Sequence, residues 1–287
     1  MKETSMSVRH SVVERMPLLK PVHPSHRWVM LGSCFAQYMG QKMEQAGGDV
    51  MVNPLGTLFN PFSIAKTVHA ALHAAEVDFP IFPADGEWRC WWANTRVKAP
   101  TPEALRQELR VRYEALGEAL RRADHLVVTL GTNVCYLTPD PTQGHGEQVP
   151  LSTQEHQEQV PLMVVTNCQR QPDRLFTEWR ATQQEVVEVL VAMVEELLEV
   201  NALLQVILTV SPYRYAKYGY HGSQLSKAVL LLAEDELIRR FPQTCCYFPA
   251  YEILLDELRD YRYYASDGHH PAEEAVEHIW ERVFSSS

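Results

Sequence analysis

The 287-residue chain is poor in the features that hold a nucleotide, a membrane or a nucleic acid. Glycine is scarce at 13 residues, and neither Gly-x-x-x-x-Gly-Lys nor Gly-x-Gly-x-x-Gly occurs. The backbone loops that cradle phosphates are therefore missing. The six cysteines, at positions 34, 90, 135, 168, 245 and 246, include no Cys-x-x-Cys pair. They fit reduced side chains better than a disulfide framework or a thiolate metal site. Positive charge is in deficit, with 26 Lys and Arg against 36 Asp and Glu for a formal net charge of −10. A surface of that balance lacks the clustered cations that displace counterions from nucleic acid. No run approaches the roughly 18–20 consecutive apolar residues a spanning helix needs; Val186 to Val200, the most apolar long segment, carries Glu188, Glu195, Glu196 and Glu199. Met1 to Lys20 mixes Lys2, Glu3, Arg9, Glu14 and Arg15 with isolated apolar residues and has no signal-peptide core. The expectations are a cytoplasmic location, no membrane span, no nucleic-acid partner, no cofactor and no metal.

What is present is a regular alternation. Short β-rich apolar runs fall at Trp28 to Leu31, Val50 to Val52, His125 to Leu130, Met163 to Val165, Gln205 to Val210 and Cys245 to Phe248. Helical patterns lie between most of them: Gln37 to Gln45, Pro61 to Ala75, Thr101 to Arg122, Glu178 to Val200, Ser223 to Arg239 and Pro271 to Val283. In the fourth, Val186, Val187, Leu190, Val191, Val194, Leu197 and Leu198 recur at the spacing of one buried helix face. Such alternation predicts an α/β fold, with a mostly parallel sheet flanked by helices on both faces. One domain over residues 1–287 is expected, with residues 1–20 as an extended amino-terminal segment. Residues 138–161 break the rhythm as a polar loop or hairpin insertion. Within it Glu147-Gln148-Val149-Pro150-Leu151 returns as Glu158-Gln159-Val160-Pro161-Leu162.

Ligands bind such sheets beyond the carboxyl ends of the strands, and there the chain places its reactive residues. Trp28-Val29-Met30-Leu31-Gly32-Ser33-Cys34-Phe35-Ala36 reads as strand, sharp turn and helix start. A hydroxyl on such a turn stands clear of the sheet, beside unpaired N–H groups of the helix. Ser33 is the candidate nucleophile and needs a base to take its proton; Asp267-Gly268-His269-His270-Pro271 offers one. His270 precedes proline and two acids, a pattern that predicts a helix starting at Pro271, and Asp267 would fix its tautomer. Cys34 is a rival nucleophile, and His269 a rival base. The backbone N–H groups of Ser33 and Gly56 and the Asn133 carboxamide are candidate oxyanion donors, with Asn60 as a substitute. Arg214, at the end of a strand, suits a substrate carboxylate or phosphate as well as an internal ion pair. His69 and His73 lie four apart on a helix but lack the glutamate of His-Glu-x-x-His.

Gly32-Ser33-Cys34-Phe35-Ala36 resembles the name-giving motif of the GSCFA family, a branch of the SGNH (GDSL-like) hydrolase superfamily. Further matches follow in order: Asn53-Pro54-Leu55-Gly56, Phe59-Asn60-Pro61, Thr129-Leu130-Gly131-Thr132, Asn167-Cys168, Ser211-Pro212-Tyr213-Arg214, Gln224-Leu225-Ser226-Lys227-Ala228 and Asp267 through Pro271. Gln169-Arg170 departs from the His-Lys common in relatives. The resemblance implies a three-layer α/β/α fold and selects Ser33 over Cys34. It also selects His270 over His269, through the superfamily's Asp-x-x-His block, and Gly131-Thr132-Asn133 fits that superfamily's Gly-x-Asn block. It implies a serine esterase for a small-molecule or carbohydrate acyl ester with a short acyl group. The alternatives are an acyltransferase at the same Ser-His-Asp site and a noncatalytic binding domain on the same scaffold.

Overall fold

The computed structural model describes residues 11–14, 18–140, 142 and 161–284. In chain order the elements are β1 (Arg27–Gly32), α1 (Cys34–Gln45), β2 (Asp49–Val52), α2 (Pro61–Leu72), β3 (Ile81–Ala84), β4 (Glu87–Cys90), β5 (Lys98–Ala99), α3 (Pro102–Arg122), β6 (His125–Leu130), β7 (Val134–Pro139), β8 (Leu162–Val165), β9 (Thr177–Arg180), α4 (Gln183–Val200), β10 (Gln205–Val210), α5 (Gly219–Arg240), β11 (Cys245–Tyr247), α6 (Ala250–Glu252) and α7 (Glu273–Phe284). The central sheet runs β11-β10-β6-β1-β2 with every pair parallel. Its strands alternate between two cores. Val29, Leu31, Leu126 and Val128 face the core shared with α2, α3, α4 and α5, whereas Trp28, Met30 and Ile207 face Phe35, Met39, Ala275 and Ile279 of α1 and α7. Period-two alternation on strands buried from both sides is what a helix-covered parallel sheet requires. The fold is the expected α/β architecture.

The strand order sets the site. β1 lies between β2, which follows it, and β6, which returns on its other side. The order in which strands are added reverses at that point, which opens a crevice beyond the carboxyl ends of β1 and β6. Ser33 stands at the end of one strand and Gly131 at the end of the other.

Three expectations need correction. Leu162–Val165 is a strand, but it sits outside the parallel sheet, pairing antiparallel with β7 in a separate sheet of order β8-β7-β9. The helix expected from Glu178 begins at Gln183, because Thr182 and Glu185 close a capping box and the preceding Thr177–Arg180 pairs with β7. The last helix begins at Glu273 rather than Pro271, which instead bridges Tyr264. The ends of the 138–161 insertion are adjacent, since Pro139 pairs with Leu162; residues 143–160, with most of the internal repeat, lie outside the described residues.

Candidate active site

The turn carrying Ser33 is built around Gly32. Its φ of +136° is a conformation open to glycine, and a Cβ there would lie 2.2 Å from the Thr129 carbonyl oxygen. Ser33 then serves as N-cap of α1, its Oγ accepting from the Phe35 N–H at 3.2 Å. It is buried, at 1% exposure. Its hydroxyl donates to Ser211 Oγ at 3.0 Å, and that oxygen also accepts from the Tyr213 N–H at 3.4 Å. From the other side Asn53 brackets the turn: its Oδ1 accepts from Gly32 N–H at 2.9 Å and its Nδ2 lies 3.5 Å from Ser33 O.

Asp267 and His270 form a pair on the loop before α7, with Oδ2 2.5 Å from Nδ1. The second carboxylate oxygen accepts from the backbone N–H groups of His269 at 2.8 Å and His270 at 3.0 Å. These bonds, the imidazole's first, hold the Asp267 carboxyl well below the usual carboxylate range. Holding Nδ1 on the carboxylate leaves Nε2 as the outward nitrogen. The loop is tied to the segment that holds Ser33: the Tyr213 ring lies 4.4 Å from the His270 ring, and Arg214 N–H donates to His269 O at 3.0 Å. His269 Nδ1 is buried without a hydrogen-bond partner among the described residues. Because α7 starts at Glu273, His270 lies outside the helix, and its orientation comes from Asp267 and Tyr213 rather than from a helix terminus.

The remaining expected residues divide. Ser33 N–H donates to Thr129 O at 3.2 Å and Gly56 N–H to Asn53 O at 2.7 Å. The Asn133 carboxamide donates to Ala181 O at 2.6 Å and its N–H to Ser226 Oγ at 3.0 Å, which makes it a brace between the end of β6, the start of α4 and α5. Asn60 caps α2 through its Oδ1, which accepts from Ser63 N–H at 2.8 Å. Its segment crosses the carboxyl ends of both site strands, with Leu58 N–H on Gly32 O at 2.7 Å and Phe59 O accepting from Gly131 and Thr132 at 2.9 Å each. Among the described residues Arg214 forms no ion pair and its buried Nε has no hydrogen-bond partner; its guanidinium lies over the Tyr220 ring at 5.6 Å. At Cys34 burial pushes the thiol up, away from the reactive thiolate.

The sequence profile of the GSCFA family matches residues 27–283. The chain belongs to the GSCFA family. Comparison with curated proteins finds no match. Among solved structures, one similar chain is Est2A, an acetyl xylan esterase from the rumen bacterium Butyrivibrio proteoclasticus, at 11% identity and a TM-score of 0.44. The match covers 93% of this GSCFA chain and 64% of that chain, so the GSCFA chain spans less than two thirds of that protein's length.

One further residue of the GSCFA chain lies next to the site. Lys227, on α5, is 1% exposed and donates from Nζ to Gly131 O and Ser211 O at 2.8 Å each. It joins the ends of β6 and β10 directly behind Ser33, and burial pulls its pKa down to about 7. Farther along α5, burial pushes the Glu234 carboxyl well above the usual carboxylate range, and neither of its oxygens has a hydrogen-bond partner among the described residues. Lys227 lies in the Gln224-Leu225-Ser226-Lys227-Ala228 block that resembles the family, and the block by itself gives the lysine no role. Among the described residues no helix is long and apolar enough to cross a membrane.

Proposed function

We propose that this protein is a serine-dependent hydrolase of the SGNH type that cleaves an acyl ester with a short acyl group. Ser33 is the nucleophile, His270 the general base and Asp267 its orienting carboxylate. The observation that carries the reading is the Asp267–His270 pair at 2.5 Å, fixed to the Ser211–Arg214 segment that also holds the Ser33 hydroxyl. Ser33 rests as a donor to Ser211 Oγ. On substrate binding the hydroxyl turns to His270 Nε2 and gives up its proton as Oγ attacks the ester carbonyl. The imidazolium then protonates the leaving alcohol, and water enters by the same base to release the acid from acyl-Ser33.

The oxyanion that forms on attack needs donors aimed at it. Asn133 has its carboxamide tied to Ala181, whereas the Asn60 amide nitrogen has no partner among the described residues, and its oxygen is fixed by the α2 cap. We therefore assign the side-chain donor to Asn60, alongside the Ser33 N–H, whose bond to Thr129 O is long at 3.2 Å. The substrate class is a small-molecule or carbohydrate ester.

Incubation with a fluorophosphonate followed by peptide mapping tests the nucleophile. The adduct is expected on Ser33, and Ser33→Ala is expected to lose both labelling and nitrophenyl acetate hydrolysis while remaining folded, at a cost of about 1 kcal/mol for the lost cap. Labelling that persists in Ser33→Ala, or that maps to Cys34, overturns the assignment.

A further inference from the structure

The carboxylate that the sequence lacks beside His69 and His73 is supplied from another helix. His69 lies in the last turn of α2, and His73 is its C-cap residue, with its N–H on His69 O at 3.1 Å. Glu196, on α4, reaches both: its Oε1 lies 2.9 Å from His69 Nδ1 and 2.8 Å from His73 Nε2. All three donor atoms lie within 4.8 Å of one another. α2 and α4 pack through Ile64, Val68, Leu190 and Val194 in the same core, so the helix axes hold the three side chains together.

We propose that His69, His73 and Glu196 form a binding site for a divalent transition-metal ion of the zinc class. Two imidazoles four residues apart share one helix face, and two histidines with one glutamate are an established zinc ligand set. Bonds of about 2.0–2.1 Å in tetrahedral geometry imply ligand-to-ligand edges of about 3.3 Å. The two short edges at 2.9 and 2.8 Å open by about half an ångström to reach that value. The side chains are free to make that change, since the two imidazoles are 59% and 46% exposed. Water completes the coordination. Imidazole donors favour zinc and its neighbours over magnesium or calcium, which prefer all-oxygen shells.

The site lies away from Ser33. Asn60, at the head of α2, stands at the catalytic edge, and His69 is nine residues further along, about 13 Å by helical rise. The ion therefore clamps the carboxyl end of α2 to α4 and takes no part in acyl transfer.

Full-length protein stripped with chelator and dialysed is titrated with zinc by calorimetry, with magnesium as control and cobalt(II) absorption as a second readout. The expected result is one zinc per chain, no magnesium binding, a raised Tm with zinc, and visible cobalt bands of a four-coordinate site. His73→Ala and Glu196→Gln are each expected to weaken zinc binding by about tenfold or more and to abolish the Tm shift. Ester hydrolysis is unchanged in both variants. Absence of zinc binding in the stripped protein, or equal affinity in wild type and both variants, overturns the proposal and leaves a helix-to-helix ion pair.

Discussion

At the scale of single residues, the site turns on which groups remain free to meet the reaction. Asn60 and Asn133 are both buried carboxamides at the carboxyl edge of the sheet. Their hydrogen bonds separate them, because Asn133 spends its amide on Ala181 while Asn60 spends only its oxygen, as a helix cap. Serine caps a helix about as well as asparagine but has no amide to offer. Asn60→Ser is therefore expected to lower kcat by about 100-fold to 1000-fold with little change in KM. Asn133→Ser is expected to act mainly on stability. Steady-state hydrolysis of nitrophenyl acetate, paired with thermal melts, checks both; a larger kcat loss at Asn133 would reverse the assignment. The strand-to-helix turn at Ser33 and the pairing of Asp267 with His270 are legible in the sequence because each sits in a short local pattern. Ser211 and Glu196 are not, because their meaning lies in partners 178 and 127 residues away in the chain.

At the scale of elements, α5 does more than cover the sheet. Ser226 accepts from Asn133 N–H and pairs with Thr132 Oγ1 at 3.0 Å, while Lys227 holds Gly131 O and Ser211 O. One turn of helix thus fixes the strand ends on which the neighbours of Ser33 stand. Lys227→Met keeps the length and apolar stem but leaves two buried carbonyls without donors, which is expected to cost about 3 kcal/mol. Hydrolysis is expected to fall as well, since Ser211 loses its anchor beside the Ser33 hydroxyl. Urea unfolding and kcat/KM measure the two effects; a folded variant with unchanged kcat/KM would show that the clamp serves stability alone. The parallel strands were readable as continuous apolar runs, because burial on both faces leaves little room for polar residues. Glu178, Trp179 and Arg180 look like the amphipathic start of a helix, but pairing with β7 overrides that local preference and makes them part of β9. The composition of Met163 to Val165 predicts a strand, but composition says nothing of which sheet a strand joins.

At the scale of the whole molecule, the two edges of the central sheet carry different chemistry. The carboxyl edge bears Ser33, whereas at the amino edge Trp28, His125 and Gln205 stand in one row across β1, β6 and β10. His125 is buried there, its ring 4.2 Å from Trp28 and its Nε2 2.8 Å from His26 Nδ1, with the Gln205 amide 2.9 Å from Nδ1. Burial is the first cause that lowers its pKa to about 4, and the neighbouring His26 charge adds to it. Gln205 and Asp124 oppose the shift, and Lys20 weakly supports it. An unfolded histidine takes up a proton near pH 6.5, whereas the native ring stays neutral until about pH 4. Between those values the unfolded chain binds more protons than the native one, so stability falls as pH falls through the window, and the loss is complete below it. His125→Gln removes the titrating group and is expected to flatten that slope, whatever it does to stability at neutral pH. Urea midpoints from pH 7.5 to pH 4 give the slope directly, and an identical slope in wild type and variant would place the acid sensitivity elsewhere. Because the row lies at the opposite edge from Ser33, the variant is expected to leave kcat at neutral pH unchanged, which separates acid unfolding from the protonation of the proposed base, His270.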